Sequence, residues 1–187
     1  MVYSRLLRLK TGSDVELPSM AVECELCHAW EMEDERTFVF YLREEVRWHD
    51  LDPVNGRGLV AEDLIYSYTR QRRPEFPNAA LLQGVKGMQA LGTTILRFSL
   101  TVPDADFLLS LADGRSKIVA REAVELNGDL LNGPTIGSGP WVLEGSDPDV
   151  AHVFDRNPIY FERAFPFVDH LVVEVIPDRA TRDAAFA

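Results

Sequence analysis

Residues 29–63 constrain the fold most, because they place a strand, a tight loop and the start of a helix in direct succession. Within Thr37–Leu42, apolar side chains recur at every second position, at Phe38, Phe40 and the final leucine. This alternation predicts a half-buried β-strand. Residues 52–58 then contain one proline and two glycines, which predicts a loop.

A helix is predicted from Ala61 to Arg72. Two acidic residues stand in its first turn, where negative charge is favourable next to the positive end of the helix dipole. Val60 occupies the N-cap position and offers no polar side chain to the first turn. The apolar stripe of the helix consists of Leu64, Ile65 and Tyr68.

Short strands and short helices alternate along the rest of the chain. Further strands are predicted over Val2–Leu9, Thr94–Leu100, Trp141–Leu143, His152–Phe154 and Leu171–Ile176. The last of these is apolar on both faces except at Glu174, which is typical of a central strand. Short helices are predicted after Pro103, near Glu122, and from Asp178 as N-cap to Ala185. The pattern predicts a mixed α/β chain of the α+β class.

Two stretches read as connections. Thr11-Gly12-Ser13-Asp14 has the composition of a hairpin turn, and the segment from Leu17 to Trp30 that follows is less periodic. Residues Asn132 to Gly139 are rich in Gly, Pro and Ser. This second stretch is the best candidate for a junction between two domains.

The charge of the chain excludes some classes of partner. The formal net charge is −11, and the basic residues are scattered. We therefore expect no nucleic-acid binding, since no Lys/Arg-rich face is available to neutralise phosphates. There is no run of about 18 apolar residues, so no membrane span is predicted. Residues 1–11 are too polar for a signal peptide.

Cys24 and Cys27, followed by His28, form a C-x-x-C-H motif from the two cysteines of the chain. Three interpretations remain open at this point. The spacing is that of c-type haem attachment; it also suits a disulfide or redox pair in an oxidising compartment, and two free buried thiols are the third possibility. A zinc site would need a second cysteine pair, and the chain has none.

No catalytic or metal site is predicted. The nucleophile-elbow, zinc-protease, phosphate-loop and dinucleotide-binding motifs are all absent from the sequence. His49, Asp50 and Asp52 could suggest a metal or an acid–base pair, whereas the family resemblance given below implies a structural turn beside Trp48. We therefore expect a protein that is not an enzyme and has no cofactor.

Four motifs together resemble one family. The 29–63 stretch is similar to its "SWE, hydrophobic strand, LR, V-x-WHDG, TAED" signature. Further along, Ile136–Leu143 is similar to "GTGPY-x-L", Arg156–Phe161 to "RNPDYW" and Val175–Arg182 to "VIPDPATR". On these residues the chain resembles the family 5 extracellular solute-binding proteins, the oligopeptide, dipeptide and nickel receptors of ABC importers.

The resemblance implies a type II periplasmic-binding-protein fold in which two lobes close on a ligand. Members are typically much longer than this chain, so we expect a fragment of the first lobe. Residues 1–132 would form its small subdomain and residues 133–187 an incomplete part of its main sheet, with the second lobe absent. Exposed sheet edges in that part would allow self-association.

The resemblance also implies a function. The chain would capture a small solute, most often an oligopeptide, outside the cytoplasmic membrane and pass it to ABC permease subunits. The protein would be periplasmic or a lipoprotein, its export signal lying outside this chain. The ligand-binding candidates are Phe76, Asn78 and Ala79 in the loop after the first long helix, and Ser138 and Gly139 at the junction. The alternative is a stand-alone acidic interaction or redox module that uses the C-x-x-C pair.

Overall fold

The computed structural model describes residues 1–13, 15–16 and 19–185, so the predicted turn at Asp14 and the segment beginning at Leu17 lie partly outside the described residues. Nine strands are found in the described part of the chain. They are β1 Leu7–Leu9, β2 Val22–Cys24, β3 Cys27–Asp34, β4 Thr37–Leu42, β5 Val85–Ala90, β6 Ile95–Leu100, β7 Trp141–Asp147, β8 Ala151–Arg156 and β9 His170–Glu174.

Four α-helices and one short 3-10 helix separate these strands within the same described ranges. They are α1 Ala61–Gln71, the 3-10 helix Ala79–Leu82, α2 Phe107–Ala112, α3 Arg121–Asn127 and α4 Arg179–Ala185. The mixture of helices and antiparallel sheets confirms the predicted mixed α/β class.

The largest sheet is four-stranded and antiparallel, in the order β3-β4-β6-β5. Phe38 of β4 pairs with Phe98 of β6, and Phe40 pairs with Leu96. The predicted apolar face is buried, since Phe40, Phe98 and Leu96 are fully buried. Val39 on the opposite face is only 3% exposed, so β4 is buried on both faces and not half-buried. Helix α1 packs on this face through Tyr68, whose ring lies 5.6 Å from that of Phe98.

The C-terminal sheet is smaller, with the antiparallel order β7-β8-β9. Trp141 and Phe154 from this sheet form a second hydrophobic cluster with Val2 from the N-terminal segment. The expectation that the last strand is central is not met, because β9 is an edge strand in the described sheet and Val172 is 54% exposed. Whether residues 1–132 and 133–187 are separate subdomains stays a prediction.

An arginine at the N-terminal end of the chain links β1 to two other segments. The Arg8 guanidinium donates to Glu23 on β2 at 2.7 Å and is paired with Glu162 at 3.0 Å. The pKa of this guanidinium is raised by its two carboxylate partners, although partial burial opposes the shift. Through Arg8, strand β1 is therefore linked to β2 and to the segment that follows β8.

Candidate functional site

The loop after α1 contains three of the predicted binding residues and is held firmly in place. The Asn78 side-chain amide donates to the carbonyl of Arg115 at 3.0 Å, and the Asn78 carbonyl accepts from Gln71 at 3.4 Å. The Phe76 ring lies 4.4 Å from the Arg70 guanidinium. Ala79 begins the 3-10 helix. All three predicted residues are partly exposed, so the loop presents a fixed surface.

A groove of about 660 Å³ adjoins this loop and is here called the loop groove. Leu81, from the 3-10 helix, lines one wall, and Leu109, Asp106 and Asp113 line the wall formed by α2 and the turn after it. Leu9 and Arg5 contribute from the N-terminal side. The groove therefore combines apolar surface with carboxylates.

The two carboxylates of the loop groove differ in their hydrogen-bond partners. Asp113 is paired with Arg115 at 2.9 Å, and this bond lowers the pKa of the carboxyl to about 2. The side chain of Asp106 accepts no hydrogen bond from the described residues. Sequence reasoning missed these residues, because an acidic pair at 104 and 106 is most simply a solvated surface; only the neighbouring apolar run Phe107–Ala112 indicated a structured element.

Ser138 and Gly139, the other predicted pair, are buried at the junction. The Gly139 N–H donates to the Val2 carbonyl at 2.8 Å, and its carbonyl accepts from Asn157 at 2.9 Å. A Cβ at Gly139 would lie 2.4 Å from the Met1 carbonyl oxygen, so only glycine fits. The structure does not bring this pair together with the loop after α1, and the observed contacts of Gly139 are made within the protein. Direct solute contact by either residue stays a prediction.

The His49 side chain forms hydrogen bonds with the backbone of the junction. Its Nδ1 accepts from the Gly137 N–H at 3.3 Å, so the proton must lie on Nε2, which donates to the Gly139 carbonyl at 3.1 Å. Burial lowers the pKa of His49, and the bond to Gly139 opposes this only in part. The imidazole is thus held neutral, in agreement with the structural interpretation of the histidine–aspartate turn.

A buried carboxylate network supports that turn and was not foreseen. The Asp63 carboxylate on α1 accepts hydrogen bonds from both terminal nitrogens of the Arg57 guanidinium, at 2.7 and 2.8 Å. It also accepts from the Trp48 indole N–H at 3.3 Å. Asp63 also accepts from the Val60 N–H at 3.0 Å, which is the half of a capping box that needs no polar N-cap side chain. Arg57 in turn pairs with Glu122 on α3 at 2.6 Å. The acidic first turn of α1 gave the signal for this carboxylate, but nothing in the sequence identified Arg57 as its partner.

Cys24 and Cys27 form a disulfide. The two residues between them are tied down, since the Leu26 N–H donates to the Arg5 carbonyl at 3.2 Å and Glu25 pairs with the Arg5 guanidinium at 3.1 Å. Cys27 is fully buried. Of the three interpretations of C-x-x-C-H, the disulfide is the one observed; haem attachment and free thiols do not fit, because each needs unpaired sulfur.

Metal-binding and membrane features were sought in the part of the chain that the structure describes. No group of three or more His, Cys, Asp and Glu side chains is placed to hold a metal ion there. His170 instead pairs with Asp155 at 2.6 Å and His152 with Ser146 at 2.8 Å. None of the described helices combines the length and apolar character needed to span a bilayer.

Comparison with protein families gives a match over most of the chain. The profile of "Bacterial extracellular solute-binding proteins, family 5 Middle" matches residues 21–187. The Escherichia coli K12 dipeptide-binding protein is 27% identical over 98% of this chain and 37% of its own length. The nickel-binding periplasmic protein of the same organism is 30% identical over 100% of this chain and 34% of its own length.

Solved structures agree with this match. A solute-binding protein in complex with mannopinic acid, MoaA of A. tumefaciens R10, superimposes with a TM-score of 0.84 at 25% identity, over 99% of this chain and 36% of that one. The Helicobacter pylori protein DppA, in complex with the peptide STSA, gives a TM-score of 0.81 at 24% identity, over 98% and 38% of the two chains. The chain therefore spans little more than a third of the length of these relatives.

Proposed function

Since this chain belongs to the family 5 bacterial extracellular solute-binding proteins, we propose that it is part of the substrate-binding component of an ABC importer. The component would capture a peptide or similar solute outside the cytoplasmic membrane and deliver it to the permease subunits. It would bind this solute without transforming it. The observation that carries the proposal is the match of nearly the whole chain to a dipeptide-binding protein.

The loop groove supports a contribution of this chain to solute binding. Its volume of about 660 Å³ is in the range of small-molecule sites. Leu81 and Leu109 would cover an apolar solute side chain, and the Asp106 carboxylate is available to a cationic group such as a peptide ammonium. Phe76, Asn78 and Ala79 would border the solute beside the loop groove, while any contact by Ser138 and Gly139 would be made separately at the junction.

Closure of a second lobe would complete the site, in the manner of hinge-type binding proteins. Relatives of almost three times this length provide chain for such a lobe, because this chain covers 34–37% of the curated relatives described above. We also propose a periplasmic or lipid-anchored location, which is supported by the relative named as the nickel-binding periplasmic protein.

Calorimetric titration of the product of the whole gene with dipeptides tests the role of the loop. Phe76→Ala and Asp106→Asn should each weaken binding by about tenfold, equal to about 1.4 kcal/mol. Leu126→Ala is the matched control, since Leu126 is a 56% exposed apolar residue that lies outside the loop groove. Phe76 belongs to the loop after α1 and Asp106 to the loop groove, so unchanged affinity in both test variants would show that the solute touches neither.

A further inference from the structure

We propose that a second groove, between residues 44–56 and 156–165, binds an extended acidic peptide segment of a partner protein. The groove has two compartments of about 570 and 560 Å³. They share Arg47, Asn157, Pro158 and Ile159, so they are adjacent, and the pair is here called the arginine groove. It includes none of the loop-groove residues, and the proposal goes beyond solute capture.

The first compartment concentrates positive charge on a strongly acidic protein. Arg47, Arg156 and Arg163 line it, while the chain as a whole carries a net charge of −11. Of these three, Arg156 is balanced by Asp169 at 3.5 Å, and among the described residues Arg163 has no hydrogen-bond or ion-pair partner. One N–H of the Arg47 guanidinium donates to the Gly56 carbonyl at 3.0 Å.

Carboxylates in the same compartment do not cancel this charge. Glu45 is paired with Arg43 at 3.7 Å, so Glu44 is the remaining acid that faces two available guanidinium groups in this compartment. Asp50 is the one acid among the lining residues of the second compartment, so the positive charge is confined to the first. Guanidinium groups bind carboxylates through two parallel N–H bonds. The chemistry therefore selects a ligand with carboxylates.

The floor of the groove is rigid. Asn157 is buried; its side-chain amide donates to the Gly139 carbonyl at 2.9 Å, and its Oδ1 accepts from the Ile159 N–H at 3.1 Å. The Asn157 N–H donates to the Pro140 carbonyl at 2.8 Å. A preorganised floor lowers the entropic cost of binding, because its side chains are already fixed.

Apolar surface in the arginine groove favours a peptide over a small anion. Ile159 and Leu51 are 39% and 37% exposed in the second compartment, and Phe165 is 47% exposed in the first. A small anion would leave these side chains in water. An extended segment would place acidic residues at the arginines and an aliphatic residue against Leu51 and Ile159, which also removes apolar area from water.

Fluorescence anisotropy on the product of the whole gene tests this proposal. The probe is a labelled peptide Glu-Asp-Glu-Leu-Asp-Glu, and its comparison is the uncharged Gln-Asn-Gln-Leu-Asn-Gln. We expect saturable binding of the acidic peptide that is at least tenfold tighter than the amide peptide and weakens as NaCl rises from about 50 to about 300 mM.

Charge reversal locates the site. Arg47→Glu and Arg163→Glu should each weaken peptide binding by about tenfold, and the control Arg73→Glu, an exposed arginine outside the groove, should change it less than about twofold. Circular dichroism confirms that each variant is folded. Equal loss in all three variants would mean nonspecific charge attraction, and no loss would place the peptide elsewhere.

Competition by citrate distinguishes the two kinds of anion. If citrate displaces the peptide with an affinity as high as that of the peptide itself, the groove is a small-anion site and the proposal is wrong. Lack of binding of the acidic peptide to the folded protein would also overturn it. Neither result depends on dipeptide binding. Failure of this proposal would therefore not contradict the proposed solute function, which the calorimetric titration tests separately.

Discussion

Asp63 illustrates how one side chain joins three parts of the fold. It lies in the first turn of α1, yet its carboxylate also accepts from Trp48 and from the guanidinium of Arg57. The sequence indicated a favourable acidic residue at a helix start. It could not indicate the second role, because the partners are brought to Asp63 by the tertiary path of the loop.

Loss of this carboxylate should destabilise the protein well beyond a surface pair. Asp63→Ala leaves the buried Trp48 N–H without its acceptor and leaves Arg57 paired with Glu122 alone, so we expect a loss of about 2 kcal/mol in the free energy of unfolding. Glu125→Ala removes the exposed i,i+4 pair with Arg121 and should cost about 0.5 kcal/mol or less. Urea denaturation of both variants checks this, and equal losses would contradict it.

Gly139 tests the close packing at the junction. A Cβ there would overlap the carbonyl oxygens of Met1 and Val2 at 2.4 and 2.6 Å, whereas a Cβ at Gly145 meets nothing within 4 Å. We expect Gly139→Ala to cost at least about 2 kcal/mol and Gly145→Ala less than about 1 kcal/mol. Thermal unfolding of the two variants compares them directly. A Gly139→Ala protein as stable as the Gly145 variant would show that the N-terminal segment can move aside.

At the scale of elements, buried structure was predictable and exposed edges were not. Strand β4 and helix α1 were found within one residue because their apolar faces repeat at the periods of a strand and a helix. Strand β3 was missed as a strand, since all but one of its residues are exposed and its register is irregular. The predicted strand Val2–Leu9 shrinks to three residues, because Val2 leaves β1 to pack against Trp141.

The candidate binding residues show a similar division. A family resemblance located the loop Phe76–Ala79, but nothing in the local sequence showed that α2 and β1 would form a groove beside it. The arginine groove was not predicted, since its lining comes from two segments about a hundred residues apart.

The disulfide joins β2 to β3 and should stabilise both. Closing so short a loop removes unfolded-state entropy equivalent to about 2 kcal/mol. Dithiothreitol should therefore lower the free energy of unfolding by about that amount, and Cys24→Ser/Cys27→Ser should match the reduced protein and not respond further. Denaturation curves that coincide with and without reductant would contradict this expectation.

For the molecule as a whole, His49 should make stability depend on pH. Burial holds its pKa below the ordinary value of 6.5, so on acidification the unfolded state takes up a proton first. Stability is complete above pH 6.5 and falls as the pH drops from 6.5 toward the lowered pKa, by up to about 1.4 kcal/mol per pH unit. Glu25 acts in the opposite sense at more acidic pH, because burial raises the pKa of its carboxyl above 4.5.

The variant His49→Gln isolates this effect. Glutamine can accept and donate at the same site but does not titrate in this range. The difference in unfolding free energy between the parent protein and the variant should shrink or reverse below pH 6.5. A constant difference from pH 7.5 to about pH 5 would show that His49 does not titrate differently in the two states.

The central claim, capture of a solute by this family member, is tested most directly by thermal unfolding of the product of the whole gene with candidate solutes. The panel comprises di- and oligopeptides, oligosaccharides and nickel complexes. A peptide at about 100 times its dissociation constant should stabilise the native state by about 2.7 kcal/mol and raise Tm, with smaller shifts for the other classes. A folded protein whose Tm responds to no member of the panel would contradict the account.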